Sequence, residues 1–422
     1  MRWRKEAVTV PFSVAMDDVT AGNAKVMKRD FLSSGSLAIV DQGQTLVAGY
    51  TNDISLAFKG DLPVIVFGDH TCTIKYVDFP FALGADGVRI IAPRKGYDAK
   101  FLYYYLLSSP VINTGYSRHF KYLRERRIPF VPLSEQRRIV EILDQADALR
   151  KKRAVADAKA ARILPALFYK MFGDPATNPK GWPKKHLSDL CAQVTDGTHD
   201  TPKPTSSGYP LVTNAHFING YIDFSQTYNI SPEDHAAVIA RSKPEYGDVL
   251  YSQIGSLGTA CFVDTDREFS IKNCALFKPN PQRLSGKWLT ALLNTESYKT
   301  YVLKQASGGL QKYLSLKVLR GLDVIAPPIA EQAQFDRAYD SVLALAERRE
   351  ESAILVNKLF NSILHRAFTG DLTAKWREAH MKELLQEMEQ QAKALKIDDF
   401  QLPIEGNSKS SIINHQSEIP HD

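Results

Sequence analysis

Two short loops carry the residue types best placed to do chemistry: Gly68-Asp69-His70-Thr71 and Thr195-Asp196-Gly197-Thr198-His199-Asp200. A carboxylate beside an imidazole suits a metal ligand pair, a hydrogen-bonded turn or a contact to a polar ligand such as DNA. Neither loop has H-x-x-x-H or comparable ligand spacing, so no metal site is expected. A third segment, Arg118-His119-Phe120-Lys121-Tyr122-Leu123-Arg124-Glu125-Arg126-Arg127, interleaves cations with aromatic rings. Cations there could neutralise phosphates while polar tips reach base edges, although a solvated loop ahead of a helix has the same composition. A less charged copy, Gly308-Gly309-Leu310-Gln311-Lys312-Tyr313-Leu314-Ser315, keeps the Lys-Tyr-Leu centre. The candidate DNA contacts on local chemistry are Tyr50, Asn52, His70, Thr71, Arg118, His119, Lys121 and Tyr122 in the first half of the chain. In the second half they are Thr198, His199, Asn214, Ser252, Gln311, Lys312 and Tyr313.

The sequence offers no catalytic residues. There is no G-x-x-x-x-G-K-[ST], hence no P-loop for ATP, and no glycine-rich strand-turn-helix or Pro-Pro-Tyr-type loop of an adenosylmethionine-dependent methyltransferase. Asp98-Ala99-Lys100 and Asp157-Ala158-Lys159 are chance-level triplets rather than a nuclease cluster. The cysteines Cys72, Cys191, Cys261 and Cys274 have no C-x-x-C spacing, which leaves buried free thiols as the expectation. No apolar run approaches a membrane span and the first residues lead into no signal peptide, so a cytoplasmic protein without membrane contact is expected.

The elements that position these residues are set by a repeat. Val131-Pro132-Leu133-Ser134-Glu135-Gln136 has its counterpart in Pro327-Pro328-Ile329-Ala330-Glu331-Gln332, and Leu164 to Phe172 falls on Phe360 to Phe368 at the same offset of 196 residues. Both copies end in Gly-Asp, at Gly173-Asp174 and Gly370-Asp371. Fainter echoes pair Lys100-Phe101-Leu102 with Lys287-Trp288-Leu289. Apolar residues at Ile139, Ile142, Leu143, Ala146 and Leu149 recur at helical spacing, as do Phe335, Tyr339, Val342, Leu343 and Ala346. Each shared segment reads as a helix of about 40 residues, roughly 60 Å if straight. Pro165 would kink or restart the first. Two such helices can bury their stripes against each other as an antiparallel pair, or each can pack on its own block alone.

Between them lie blocks of mixed character. Leu62–Phe67, Cys72–Val77 and Val88–Ile91 look like strands, as do Gly247–Ser252 and Gly258–Val263, with short helices over Phe101–Leu107 and Lys287–Asn294. The boundaries expected are 1–131 and 176–327 for the two blocks, 132–175 and 328–377 for the helical spacers, and 378–422 for a tail. That tail would be one more helix from Lys382 to Lys396 followed by polar, disordered residues. Of 422 residues, 53 are basic and 47 acidic. The four main segments carry +5, +3, +3 and, over 328–422, −5, so the basic surplus lies with the blocks and the first spacer.

As a set, several stretches resemble the specificity subunit of type I restriction-modification systems. They are Pro132-Leu133-Ser134-Glu135-Gln136-Arg137-Arg138-Ile139-Val140, the Phe172-Gly173-Asp174-Pro175 to Gly181-Trp182-Pro183 linker, and Ala367-Phe368-Thr369-Gly370-Asp371-Leu372-Thr373 with Trp376-Arg377. Ile39-Val40-Asp41-Gln42-Gly43, Val66 to Thr71, Gly84-Ala85-Asp86-Gly87, Thr195 to His199 and Gly247 to Leu250 add to it. The resemblance covers residues 1–377. It implies an α+β fold: two mixed α/β target recognition domains in inverted tandem repeat, separated by an antiparallel pair of long helices.

The resemblance further implies that each domain reads one half of a bipartite site in double-stranded DNA. Two modification subunits would bind S-adenosylmethionine and methylate adenine, and two restriction subunits would use ATP and Mg for cleavage. The chain itself would be no enzyme and bind no cofactor or metal. Candidate partner-docking or spacer residues are Glu135, Gln136, Arg137, Arg138 and Phe172, with Glu331, Gln332 and Phe368 in the second copy. The second spacer lacks the Arg-Arg of the first, which weakens strict equivalence of the two docking faces. Two other readings stay open on sequence alone: a single-chain DNA-modifying enzyme with a cryptic site, and a helical protein-interaction scaffold.

Overall fold

The computed structural model describes residues 8–113, 115, 117–218, 220–255, 257–308 and 312–397. The helices that matter below are α1 (Ala99–Ser108), α2 (Phe120–Arg124), α3 (Leu133–Ala160), α4 (Ile163–Phe172) and α5 (Pro232–Ser242). They continue with α6 (Gly286–Leu293), α7 (Leu316–Arg320), α8 (Ile329–Thr369), α9 (Ala374–Ala379) and α10 (Met381–Ala394). The chain divides into two compact units, one formed by Met1–Arg153 with Ala353–Asp422 and the other by Ala154–Ser352.

In the first unit an antiparallel sheet orders its strands Met16–Asp18, Val88–Pro93, Val64–Gly68 and Ile74–Val77. A second, mixed sheet orders Lys25–Val26, Phe81–Gly84, Leu37–Val40 and Gly49–Thr51. Val64–Gly68 is buried at every position, as an apolar central strand should be. Helix α1 starts where the Asp98 carboxylate accepts the Lys100 and Phe101 amides, and it buries Phe101, Leu102, Tyr104 and Leu106. Ile139, Leu143 and Ala146 of α3 join this core with Phe360, Leu364 and Ala367 of α8. The Arg150 guanidinium lies over the Phe360 ring of α8 and Glu135 pairs with Arg377 of α9, so α3 runs antiparallel to the chain from Phe360 to Arg377 within this unit.

The second unit repeats the plan. An antiparallel sheet orders Cys191–Asp196, Cys274–Pro279, Val249–Ser252 and Ala260–Phe262. A three-stranded sheet orders Tyr228–Ile230, Tyr209–Val212 and Ser270–Ile271. Helix α6 starts at Ser285, whose hydroxyl accepts the Trp288 amide. Phe168 and Phe172 of α4, Trp288 of α6 and Phe335 of α8 form one fully buried ring cluster, with centroid separations from 5.1 to 5.8 Å. Each such pair contributes about 0.5–1.5 kcal/mol beyond the area it buries. Asp157 accepts from Arg349 at 3.0 Å, so the end of the first spacer runs antiparallel to the start of α8 here as well.

The first spacer is interrupted: α3 ends at Ala160 and α4 begins at Ile163, which puts Pro165 in a first turn where no intrahelical N–H is required. Helix α8 runs unbroken for 41 residues. Neither spacer packs on its own block alone, because the ring cluster that α4 completes belongs to the second unit and the residues that end α8 complete the first. The strands expected at 62–67, 72–77 and 88–91 form at 64–68, 74–77 and 88–93. Lys382–Lys396 is helical from Met381 to Ala394, and the polar residues from 398 onward lie outside the described residues. Among the described residues no helix is long and apolar enough to cross a membrane. Cys261 and Cys274 are buried free thiols, whereas Cys72 and Cys191 are only half-buried. Burial pushes the Cys274 thiol up to about 12.

Candidate nucleic-acid interface

In each unit the basic-aromatic segment is hydrogen-bonded to the hairpin loop at one end of the antiparallel sheet. In the first unit the hairpin joins Val64–Gly68 to Ile74–Val77, and its tip is Asp69-His70-Thr71. The His119 amide donates to the Asp69 carbonyl at 2.9 Å, and the Phe120 amide to the Asp69 carboxylate at 2.8 Å. His70 Nδ1 lies 3.2 Å from the Ser117 carbonyl. In the second unit the hairpin joins Val249–Ser252 to Ala260–Phe262. Here the Leu314 amide donates to the Gln253 carbonyl at 3.0 Å, and Tyr313 bridges to Ile254. The residues that lead into α2 and α7 thus make comparable bonds to their hairpins, but the two Lys-Tyr-Leu triplets are not equivalent: Lys121-Tyr122-Leu123 lies inside α2, whereas Lys312-Tyr313-Leu314 precedes α7.

The first of these loop edges borders a concavity lined by Thr20, Lys25, Asp69, His70, Asp86, Gly87, Val88, Arg89, Ser117 and Arg118. His70 and Arg118, both candidates from the sequence, line it together. Gly87 allows the Gly84–Gly87 turn to reach His70: its φ is +72°, and a Cβ there would stand 2.7 Å from the imidazole. The loop is held from behind by Asp41-Gln42. The Thr71 hydroxyl donates to the Gln42 carbonyl at 2.6 Å, the Gln42 amide oxygen accepts the His70 N–H, and buried Lys75 donates to the Asp41 carbonyl at 2.6 Å. Burial lowers the Lys75 ammonium below its ordinary value, against the pull of the Asp41 carboxylate.

Sequence reasoning missed Lys25 and Arg89, which come from strands far away in the chain. Arg89 is held by Asp18 at 3.4 Å and Asp69 at 3.8 Å and stacks over the Phe120 ring. The one available signal was its polar place between Val88 and Ile90 in an apolar strand. Lys121 and Tyr122 are exposed, their cation and ring 4.8 Å apart. Asn52 is exposed and accepts the Ser36 amide, and Tyr50 is half-buried on the strand Gly49–Thr51. His119 is corrected from a DNA contact to an interior residue. It is 0% exposed, its Nδ1 lies 3.0 Å from the Asp69 carbonyl and its Nε2 3.2 Å from the Ser117 hydroxyl.

In the second unit His199 is exposed, with Nδ1 3.0 Å from Asn273 Oδ1 and Nε2 3.2 Å from the Asp196 carboxylate. Asp196 also accepts from Arg241 at 2.8 Å and from Gln253 at 3.4 Å. Gly197 keeps this turn flat against the neighbouring strand, since a Cβ would fall 2.1 Å from the Ile271 carbonyl oxygen. Thr198 is half-buried and bridges to Lys272. Asn214 donates to the Ile254 carbonyl at 2.8 Å, which brings it to the same loop as Tyr313. Lys312 and Tyr313 are exposed, and Gln311 lies outside the described residues. Ser252 is corrected as well: it is 0% exposed and its hydroxyl accepts the Thr259 amide inside the hairpin. Asp196, together with Arg241, Gln253 and Asn273, which were not singled out from the sequence, ties the Thr198-His199 turn to the hairpin.

The spacer residues divide by burial. Glu135, Gln136, Phe172 and Gln332 are interior, and Phe368 packs between Phe101 and Tyr105, so of the two roles expected for these five the structure places them inside the spacer junctions rather than on an open docking surface. Arg137, Arg138 and Glu331 are exposed. Among the described residues no group of three His, Cys, Asp or Glu side chains is placed to hold a metal ion.

Residues 17–155 match the type I restriction modification DNA specificity domain family. The specificity subunit of the Escherichia coli type I restriction enzyme EcoBI is 26% identical over 359 residues, covering 76% of this chain and 75% of that protein. The EcoKI specificity subunit of the K12 strain is 26% identical over 286 residues, covering 59% of this chain and 58% of its own length. The crystal structure of the type I restriction-modification S subunit from M. genitalium shares the fold, with a TM-score of 0.52 at 14% identity over 86% of this chain and 96% of that one. Residues 17–155 thus carry the likeness to a type I DNA specificity domain, and most of the chain is similar to type I restriction enzyme specificity subunits, which supports a role in DNA sequence specificity.

Proposed function

We propose that each unit reads one half of a two-part target in double-stranded DNA, through blocks 1–131 and 176–327, with spacers 132–175 and 328–377 fixing the distance between the halves. What supports this reading is one observation: in both units the hairpin loop is bonded to the residues that lead into a short helix, α2 or α7, and each junction gathers polar and basic groups at a sheet end. In the first unit Lys25, His70 and Arg118 offer donors to phosphates and base edges; in the second, His199, Lys312 and Tyr313 do. Two modification subunits would methylate adenine with S-adenosylmethionine, and two restriction subunits would cleave with ATP and Mg. This chain contributes recognition and spacing in the cytoplasm.

The test is adenine methylation directed by the complex of this chain with its modification partner. The expected product is methylation at a split sequence, and exchanging residues 1–127 for those of a relative should change one half only. A change in both halves, or in neither, would refute the two-reader assignment.

A further inference from the structure

The helices α9 and α10 follow the last repeated residues and have no counterpart after the first spacer, where the chain turns instead into the strand Lys184–His186. They are seated on the first unit at the start of α3. The Arg377 guanidinium, 9% exposed, pairs with the Glu135 carboxylate, 1% exposed, at 2.8 Å, and Thr373 donates its hydroxyl to the same carboxylate. The Glu387 carboxylate accepts both the backbone amide of Ser134, at 2.9 Å, and its hydroxyl, so it caps the first turn of α3 from outside. The Gln391 amide donates to the Gly96 carbonyl at 2.8 Å and to the Val131 carbonyl at 3.2 Å, the same two carbonyls that Gln136 serves. Met388 and Ala392 complete the hydrophobic core of the unit.

The repeated position in the second unit lacks these contacts. Glu331, the counterpart of Glu135, is exposed, and no ion pair to it is present among the described residues. The carbonyls of Arg283 and Pro327 are served by Gln332. The two copies of the Glu-Gln motif are thus fastened unequally.

We infer that α9 and α10 are a clamp that joins the first block to its own spacer helix and so positions the DNA-reading edge of that block alone. Gly96 precedes α1 in the block, whereas Ser134 and Glu135 open the spacer, and α10 grips both. Without the clamp the block would keep its junction to α3 through Gln136 but lose its second set of bonds. Its loop edge would then sample more orientations relative to the spacer. This inference rests on the reading under Proposed function for its DNA consequence but not for the clamp itself.

The experiment uses the complex of the full chain with its modification subunits, comparing the unaltered chain, Glu387→Ala, and the double variant Glu387→Ala with Gln391→Leu. Hydrogen exchange reports the amides of residues 134–136 and of 330–332. In the variants the first set is expected to exchange at least tenfold faster and the second set to be unchanged. Methylation of single-mismatch DNAs is expected to rise severalfold for mismatches in the half-site read by residues 1–131 only. Unchanged exchange at 134–136 overturns the clamp. Faster exchange with unaltered discrimination, or with equal loss in both half-sites, overturns its positioning role. If the unaltered complex shows no two-part selectivity, the functional reading falls, and the exchange measurement still decides the clamp.

Discussion

Gln136 and Gln332, 196 residues apart in the chain, make the same three hydrogen bonds in their separate units. Each side-chain oxygen accepts the amide of a helix N-cap residue, Asp98 at 2.8 Å and Ser285 at 2.9 Å. Each side-chain nitrogen donates to two carbonyls, one ahead of that helix and one at the entry to the spacer. The pair locks block to spacer twice over, and a second equivalence follows it: Lys100 meets Asp144 at 2.8 Å, and Lys287 meets Asp340 at 2.6 Å.

Replacing either glutamine by leucine strands a buried amide, and in the second unit two carbonyls as well. The expected loss is about 1–3 kcal/mol for the first group left unpaired, with more for the set. Gln332→Leu should cost more than Gln136→Leu, because Gln391 still donates to Gly96 and Val131 when Gln136 is gone. Urea unfolding of the two variants checks the order.

The buried pair of Glu135 and Arg377 should respond asymmetrically to its two kinds of replacement. Arg377→Met leaves the Glu135 charge buried without its partner and should cost roughly 3–5 kcal/mol. The double variant Glu135→Leu with Arg377→Met should recover most of that. A thermal melt of each variant, with the single and double changes compared, measures the coupling.

Exposed and buried members of the basic-aromatic segment should part company in binding. Arg118→Ala and Lys121→Ala should weaken DNA binding about equally on cognate and unrelated duplexes and lower the salt-dependence slope by roughly one each. His119→Ala should instead lower the melting temperature, since its ring is packed between Asp69 and Ser117. Titrations of the assembled complex at several salt concentrations separate these effects.

The second unit should lose stability in mild acid. His235 is buried, stacked at 3.7 Å on Tyr209, with Nδ1 2.9 Å from the Ser270 hydroxyl and a buried Nε2. Burial lowers its pKa, Lys243 adds to the lowering, and Glu268 opposes it. The unfolded chain therefore takes up the proton first. This contribution is complete above the unfolded value near pH 6.5 and declines as pH falls below it. Melting curves from pH 7.5 to 5 should show a drop that His235→Phe makes shallower.

The repeat made the helical spacers legible, because a duplicated apolar stripe needs no knowledge of the partner surface, whereas the Lys-Tyr-Leu echo misled, matching residues inside α2 to the loop ahead of α7. The strands Val64–Gly68 and Ile74–Val77 were legible as β-branched runs around a polar turn. Short strands such as Lys25–Val26 and Gly49–Thr51 were not, since two or three residues carry no period and owe their conformation to Phe81–Gly84 and Leu37–Val40 beside them. Exposure was the other hidden quantity. His70 and His119 look alike in sequence, yet one borders an open concavity and the other supports it from inside. Arg89, Gln253 and Arg241 went unnoticed because each acts through a carboxylate distant in the chain.

The second unit is one continuous stretch, Ala154–Ser352, whereas the first is assembled from both ends of the chain. On the ribosome, the middle of the protein is therefore complete before the beginning can be. Until Phe360, Leu364 and Met388 have emerged, Phe101 and Ile139 wait without the side chains that fill their core. A nascent chain that has emerged from the ribosome only as far as Ser352 would carry a finished second unit and an apolar, unfinished first one, so translation rate and chaperone access bear on the first unit more than on the second.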